Sequence, residues 1–351
     1  MQNDKRIGPL SFIERGRRAL RTFMPIALIA MAAMQVAPQA HAQAYPRLKP
    51  VTLIVPFAAG SATDALGRVL AEGLSAVLGQ RVIVENRVGA GGAIAFAALA
   101  KAAPDGYTIG LGSTSINVLA VALELKLPYD VATDFIPVAL PADLPFVLAS
   151  TARRPPRNMK EFVAYAKSNP TQFVTAGPGT GAHLLGAAVL HAAGGKGDAV
   201  HYKAAAAGIP DLLEGRVDFT VDAPTIITSH IKEGNLVGLG VFASRRLSAL
   251  PDVPTVGEAW PEAPEFMKRA SVYIITVPAK TPKDIVTKLN ADMARAVADP
   301  AVKERIEKLG MFTRQPMDVE QVAEVLRQST DAWTQVVRTT GIRDAMKATS
   351  N

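Results

Sequence analysis

The sequence predicts an α/β protein of two domains, each a mainly parallel sheet flanked by helices. Three observations predict this. Short apolar runs alternate with helical patterns along the chain, as βαβ units do. Prolines cluster at two points and divide the chain into front, middle and back. The front and the middle each carry the same junction, an apolar strand followed by a polar turn and a helix start.

Residues 1–42 precede the fold. Lys5, Arg6, Arg15, Arg17, Arg18 and Arg21 form a basic region, Phe23 to Val36 is mostly apolar, and Ala40-His41-Ala42 is a small-x-small cleavage signal. That is the pattern of a secretory signal peptide, with an apolar run too short for a good membrane span. An uncleaved amphipathic anchor is the competing reading. Arg17-Arg18 raises twin-arginine export, but its flanking residues match poorly. The leader carries +4 of the formal net charge of +7. The mature chain is therefore only mildly basic, and nucleic acid loses its main support as a partner. The chain has no cysteine, which removes disulfides, thiolate nucleophiles and Cys-based metal sites. An exported protein without disulfides suits a bacterial periplasm.

Strands are expected at 51–55, 81–85, 107–112, 145–149, 172–176, 199–202, 217–221, 236–242 and 271–277. Helices are expected at 64–78, 93–102, 114–123, 158–168, 182–193, 206–214, 224–232, 282–297, 300–309 and 318–340. Val51 to Val55 is nearly continuous in apolar residues, as a strand buried on both faces should be. The turn Phe57-Ala58-Ala59-Gly60-Ser61-Ala62-Thr63-Asp64 follows, and then Leu66, Val69, Leu70, Leu74, Val77 and Leu78 recur at helical spacing. Such a turn lies where open α/β sheets hold ligands, and the helix start offers free N–H groups that suit an anion. It contains no Lys, Arg, Cys or His, so it is equipped to bind rather than to react.

Gly177-Pro178-Gly179-Thr180-Gly181-Ala182-His183 repeats this logic after strand 172–176. It lacks the Gly-Lys-Ser/Thr ending of a nucleotide P-loop. Taken alone, either turn is equally a plain strand-to-helix connection; two of them, one per domain, favour a shared cleft. Gly112-Ser113-Thr114 opens the helix that holds Asn117, and its hydroxyls either cap that helix or face the same cleft. Asp64 reads most simply as a cap. Asp222, at the end of strand 217–221, is placed to accept a hydrogen bond from a ligand. Gly89-Ala90-Gly91-Gly92 starts like a dinucleotide fingerprint, but Ile94 stands where its last glycine belongs. His183, His191, His201 and His230 have no metal-ligand spacing, and no Gly-x-Ser-x-Gly elbow is present. No catalytic residue, metal or cofactor is expected.

The domain breaks fall near 140–156 and at 251–264, where Pro251, Pro254, Pro261 and Pro264 stand within fourteen residues. A front and back that rejoin would leave the middle as the second domain, with two strands crossing between them as a hinge.

Pro56-Phe57-Ala58-Ala59-Gly60 with Thr63-Asp64, and Val84-Glu85-Asn86-Arg87, closely resemble the Bug family of periplasmic solute receptors. These are the extracytoplasmic components of tripartite tricarboxylate transporters. The resemblance continues through Ala103-Pro104-Asp105-Gly106-Tyr107-Thr108, Gly177 to Leu184, Tyr202-Lys203, Leu250 to Thr255 and Pro278 to Pro282. It implies a two-lobed, type II-like periplasmic-binding-protein fold. Its boundaries would be a signal peptide at 1–42, lobe 1 at 43–147 with a return at 269–351, and lobe 2 at 148–268. It further implies a small organic carboxylate held between loops 57–64 and 177–183 by backbone amides, hydroxyls and ordered waters. The ligand residues then expected are Phe57, Ala59, Ser61, Ala62, Thr63, Asp64, Ser113, Asn117, Gly179, Thr180, Gly181, Ala182, His183, Tyr202 and Asp222. Expected partners are membrane transporter subunits or a sensor, which read a monomeric receptor. An exported α/β enzyme acting on a carboxylate is the alternative. The chain departs from the family at Ser61, which replaces a glycine, at Ala204, and in Ser271-Val272-Tyr273, where a tryptophan is usual.

Overall fold

The structure, a computed structural model, describes residues 45–340 and Arg343; the expected signal peptide lies outside them. Residues 45–48 form a short turn of their own. From Lys49 onward the chain builds two sheets. The strands are β1 (Val51–Val55), β2 (Val82–Asn86), β3 (Thr108–Ser113), β4 (Phe135–Ala139), β5 (Ala142–Leu144) and β6 (Phe146–Thr151). They continue as β7 (Thr171–Thr175), β8 (Gly197–His201), β9 (Phe219–Asp222), β10 (Leu236–Phe242), β11 (Ser271–Pro278) and β12 (Phe312–Thr313). The main helices are α1 (Ala62–Leu78), α2 (Ala93–Ala100), α3 (Met159–Ser168), α4 (Gly181–Ala192) and α5 (Ala205–Leu213). They are followed by α6 (Pro224–Lys232), α7 (Lys283–Ala298), α8 (Pro300–Lys308) and α9 (Val319–Thr340). Among the described residues no helix is long and apolar enough to cross a membrane.

The first sheet runs β12-β5-β11-β3-β1-β2, with β4 also on β11; the second runs β10-β6-β9-β7-β8. Each has a parallel trio, β3-β1-β2 or β9-β7-β8, made by helix crossovers. Each is extended on one side by antiparallel strands, so both sheets are mixed. The reason is connectivity. A helix crossover imposes a parallel neighbour, whereas β6 and β11 arrive from the other sheet and are under no such constraint. The chain crosses to the second sheet at Pro145, which has no N–H to continue the ladder between β5 and β6. It re-enters the first sheet at Ser271, which pairs with Leu144, so the two crossing points lie side by side.

The sequence signals for helix ends are met in detail. Asn158 accepts from Glu161 N, Asp299 accepts from Ala301 N and Val302 N, and Gly310 follows α8 with φ of 73°. At α7 the start lies one residue later than Thr281-Pro282 suggests: Pro282 is the cap position and the Thr281 hydroxyl bonds back to Pro278 O. Strands β4, β5 and β12 were not anticipated. β4 carries Pro137 on an irregular edge ladder, and β5 and β12 are too short to show a period.

The helices divide between sheet faces. α1 lies over Leu53, Val55 and Leu111, packed so closely that a Cβ on Gly67 would stand 2.9 Å from Val55. α2 and Ile116 pack on the opposite face around Ile54 and Phe96. In the second sheet, α4 covers Phe173, Phe219 and Val221. α5 and α6 cover Val147 and Val174 from the other side. The chain therefore turns to opposite faces after the adjacent strands β1 and β3, and again after β7 and β9. Both sheets thus have a topological switch point, the place where α/β folds open a crevice for ligands. Helix α9 joins the two halves. Its Val322 packs on Val272 and Ile274 of the first sheet, and its Trp333, Val336 and Val337 pack with α4 of the second.

Candidate functional site

The loop after β1 is built around Asp64. Ser61 is the N-cap of α1, and its hydroxyl accepts from Asp64 N at 3.2 Å. The Asp64 carboxylate reaches back to accept from Gly60 N at 2.9 Å. It also takes two bonds from Arg68 and one from Asn86 Nδ2, all between 2.9 and 3.0 Å. Asn86 donates in addition to Phe57 O, closing the loop onto β2. With four donors on one buried carboxylate, the Arg68 bond foremost, its pKa falls to about 2. Gly60, at φ of 84°, makes the left-handed turn that lets its N–H face inward. The N–H groups of Ala62 and Thr63 have no acceptor among the described residues, as expected for the first turn of a helix.

The loop after β7 repeats this design. Thr180 is the N-cap of α4, accepting from His183 N at 3.3 Å and donating to Gly177 O at 2.9 Å. The His183 ring reaches back, and its Nδ1 accepts from Gly179 N at 3.1 Å. Gly179 has φ of 74°, the counterpart of Gly60. Thr175 braces the turn by exchanging hydrogen bonds with Gly177. Accepting at Nδ1 requires an unprotonated nitrogen there. Burial, and His201 in edge contact 5.0 Å away, hold His183 neutral by lowering its pKa to about 4. Gly181 and Ala182 are left with N–H groups that have no acceptor among the described residues at the helix start.

The remaining expected residues also stand at the carboxyl ends of strands. Ser113 ends β3, and Asn117 lies in the wide π-turn Ser115–Leu119 that follows it. Ser113 Oγ, Asn117 Oδ1 and Asp222 Oδ2 are buried without a hydrogen-bond partner among the described residues. Desolvation raises the Asp222 pKa to about 6. Phe57 packs on the Ile54–Phe96 cluster, and Ala59 is exposed at the loop tip. Tyr202 ends β8 differently: its hydroxyl donates to Asp211 at 2.5 Å. The two switch points meet at Gly181. A Cβ there would lie 3.4 Å from Phe146 and 3.6 Å from Ser115 Oγ, in the turn that follows β3 of the first sheet.

Three further residues help to hold the site: Thr114, which the sequence offered together with Ser113, and Tyr273 and Ser115, which were not among the expected site residues. Tyr273 bonds Thr63 through their hydroxyls at 3.3 Å, Thr114 accepts from Val272 N at 2.8 Å, and Ser115 touches α4. Tyr273 and Val272 reach the first loop through the β3–β11 register, which pairs Tyr273 with Ser113 and which no local pattern reveals. Among the described residues no three His, Asp or Glu side chains converge as a metal site. A cavity of about 400 Å³ lies against β11 and α9, lined by Thr114, Asp143, Arg269, Arg314, Val272 and Trp333. Burial pushes Asp143 up to about 6 there, against the pull of Arg314.

Two sheets, side-by-side crossing strands and facing switch-point loops define a two-lobed solute-binding protein. The model of the tripartite tricarboxylate transporter family receptor, TctC, matches residues 66–342, and the chain belongs to that family. BugT of Bordetella pertussis is 34% identical over 90% of this chain and 96% of its own. The structure of the periplasmic binding protein BugD superposes with a TM-score of 0.69 at 33% identity, covering 85% of this chain and 99% of BugD. MatC from Rhodopseudomonas palustris, solved with bound malate, gives 0.69 at 31% identity over 83% of this chain and 99% of its own.

Proposed function

We propose that this chain is an exported receptor that holds a small organic carboxylate between loops 57–64 and 177–183, without chemical change to the ligand. The observation that carries this reading is the duplication of the loop design at two switch points that meet at Gly181. In each, a capped helix start points two unpaired N–H groups outward, the arrangement that suits an anion. The malate bound by MatC supports the same ligand class. Ala62, Thr63, Gly181 and Ala182 contact the carboxylate in this account, with Ala59 and Ser113 beside it. Asp64 and Tyr202 hold the site, since their polar atoms already have partners, and His183 is fixed to the turn through Nδ1. Lobe 1 comprises the chain up to Pro145 and the return from about 269, and lobe 2 the residues between, because Phe146 and Val147 pair within the second sheet. The strand crossings at Pro145 and Ser271 support that division. The leader sends the receptor to the periplasm as a monomer, where transporter subunits or a sensor read its closed form.

The test is a thermal-shift panel of carboxylates with recovery of the ligand afterwards. A ligand at 100 times its Kd stabilises the native state by about 2.7 kcal/mol, a clear rise in Tm. A Tm rise with the ligand recovered intact is the expected result. No shift across the panel, or conversion of the ligand, contradicts the proposal.

A further inference from the structure

We infer that the ligand carries a hydrogen-bond donor, a hydroxyl or an ammonium, beside its carboxylate, and that Asp222 selects for it. The inference rests on the receptor reading above and specifies the class of its ligand. Asp222 is the last residue of β9 and is 5% exposed. Its Oδ1 accepts from Ala223 N at 2.7 Å, and its Oδ2 has no partner among the described residues. A buried carboxylate oxygen left unpaired is costly, so a donor brought by a ligand would stabilise it.

Position indicates where that donor comes from. Val174 pairs with Thr220 in the parallel β7–β9 ladder, so two residues further on Asp222 stands abreast of Ala176, where the 177–181 turn begins. Adjacent strands are roughly 4.8 Å apart. On its other side Asp222 pairs with Val147, next to Phe146, which touches the Gly181 position. Asp222 thus borders the second loop from within the switch point. An unsubstituted acid leaves its oxygen unpaired and adds a second negative charge nearby. A hydroxyl or ammonium on the ligand pairs with Oδ2 and removes the conflict.

Calorimetry at pH 7.5 with three matched series tests this: succinate, malate and aspartate; propionate, lactate and alanine; phenylacetate, mandelate and phenylglycine. In the series that binds, the hydroxy or amino member should bind at least tenfold tighter than the unsubstituted acid. Asp222→Asn keeps an acceptor for Ala223 N but replaces Oδ2 with a donor, so the advantage should fall below threefold and an unsubstituted acid should gain. The wild-type ranking stands as a test even if that variant folds poorly. An unsubstituted acid binding as tightly in the wild type overturns the inference alone, as does an advantage that survives in Asp222→Asn. No binding by any of the nine acids counts against the receptor reading and takes this inference with it.

Discussion

The loop at 57–64 is pinned by a charged side chain and the loop at 177–183 by a neutral one. In both, the residue three after the N-cap reaches back to the N–H just before it: Asp64 to Gly60, His183 to Gly179. Asp64 is surrounded by donors and stays ionised down to about pH 2. His183 works only unprotonated, and burial keeps it so down to about pH 4. The same geometry is thus reached by two chemistries with different tolerance of acid. Neither loop places a charged side chain on the ligand's side of the helix start. Backbone N–H groups can then hold an anion without the tight grip of a lysine or arginine, and still release it.

Acid should separate the two loops most strongly. The folded pKa of His183 lies below its ordinary 6.5. Its contribution to stability is therefore complete above pH 6.5 and is lost as pH falls toward 4. At about 1.4 kcal/mol per unit, the full difference approaches about 3 kcal/mol. Asn at this position offers an acceptor that does not titrate. Denaturation of wild type and His183→Asn across pH 4–7 should therefore diverge, with only the wild type losing this share. Parallel profiles would show that His183 is not the acid-sensitive pin. The first loop should hold through that window, because the Asp64 contribution is lost only as pH falls from about 4 toward 2.

Next in size is Asp64→Ala, which leaves Gly60 N–H unpaired and Asn86 Nδ2 with Phe57 O alone. It should cost roughly 2–3 kcal/mol in urea denaturation. A cost under about 0.5 kcal/mol would mean the first loop does not depend on its carboxylate. The caps come last. Thr180→Val removes an N-cap and should cost about 1 kcal/mol, whereas Ser61→Gly should cost only a few tenths. Equal costs at the two positions would break the parallel between the loops.

Much of this architecture is legible in the sequence because it is local. The strand runs, the helix caps and the two turns are set by neighbours within a few residues. All fifteen expected site residues lie at or just beyond strand carboxyl ends in the structure. The contributions of Tyr273 and Ser115 were not legible. They depend on the pairing of β3 with β11 and on the approach of α4 to the first sheet, between segments far apart in the chain. The engagement of Tyr202 with Asp211 was hidden for a related reason. A tyrosine at a strand end reads as a ligand contact until its partner on α5 is seen.

The central claim is that backbone N–H groups from both loops hold one carboxylate. Amide chemical shifts recorded while a binding carboxylate is titrated into the protein test it directly. The account predicts that the amides of Ala62, Thr63, Gly181 and Ala182 move together and saturate at one ligand per chain. Shifts confined to one loop, or centred on the cavity beside Asp143 and Arg314, would contradict it.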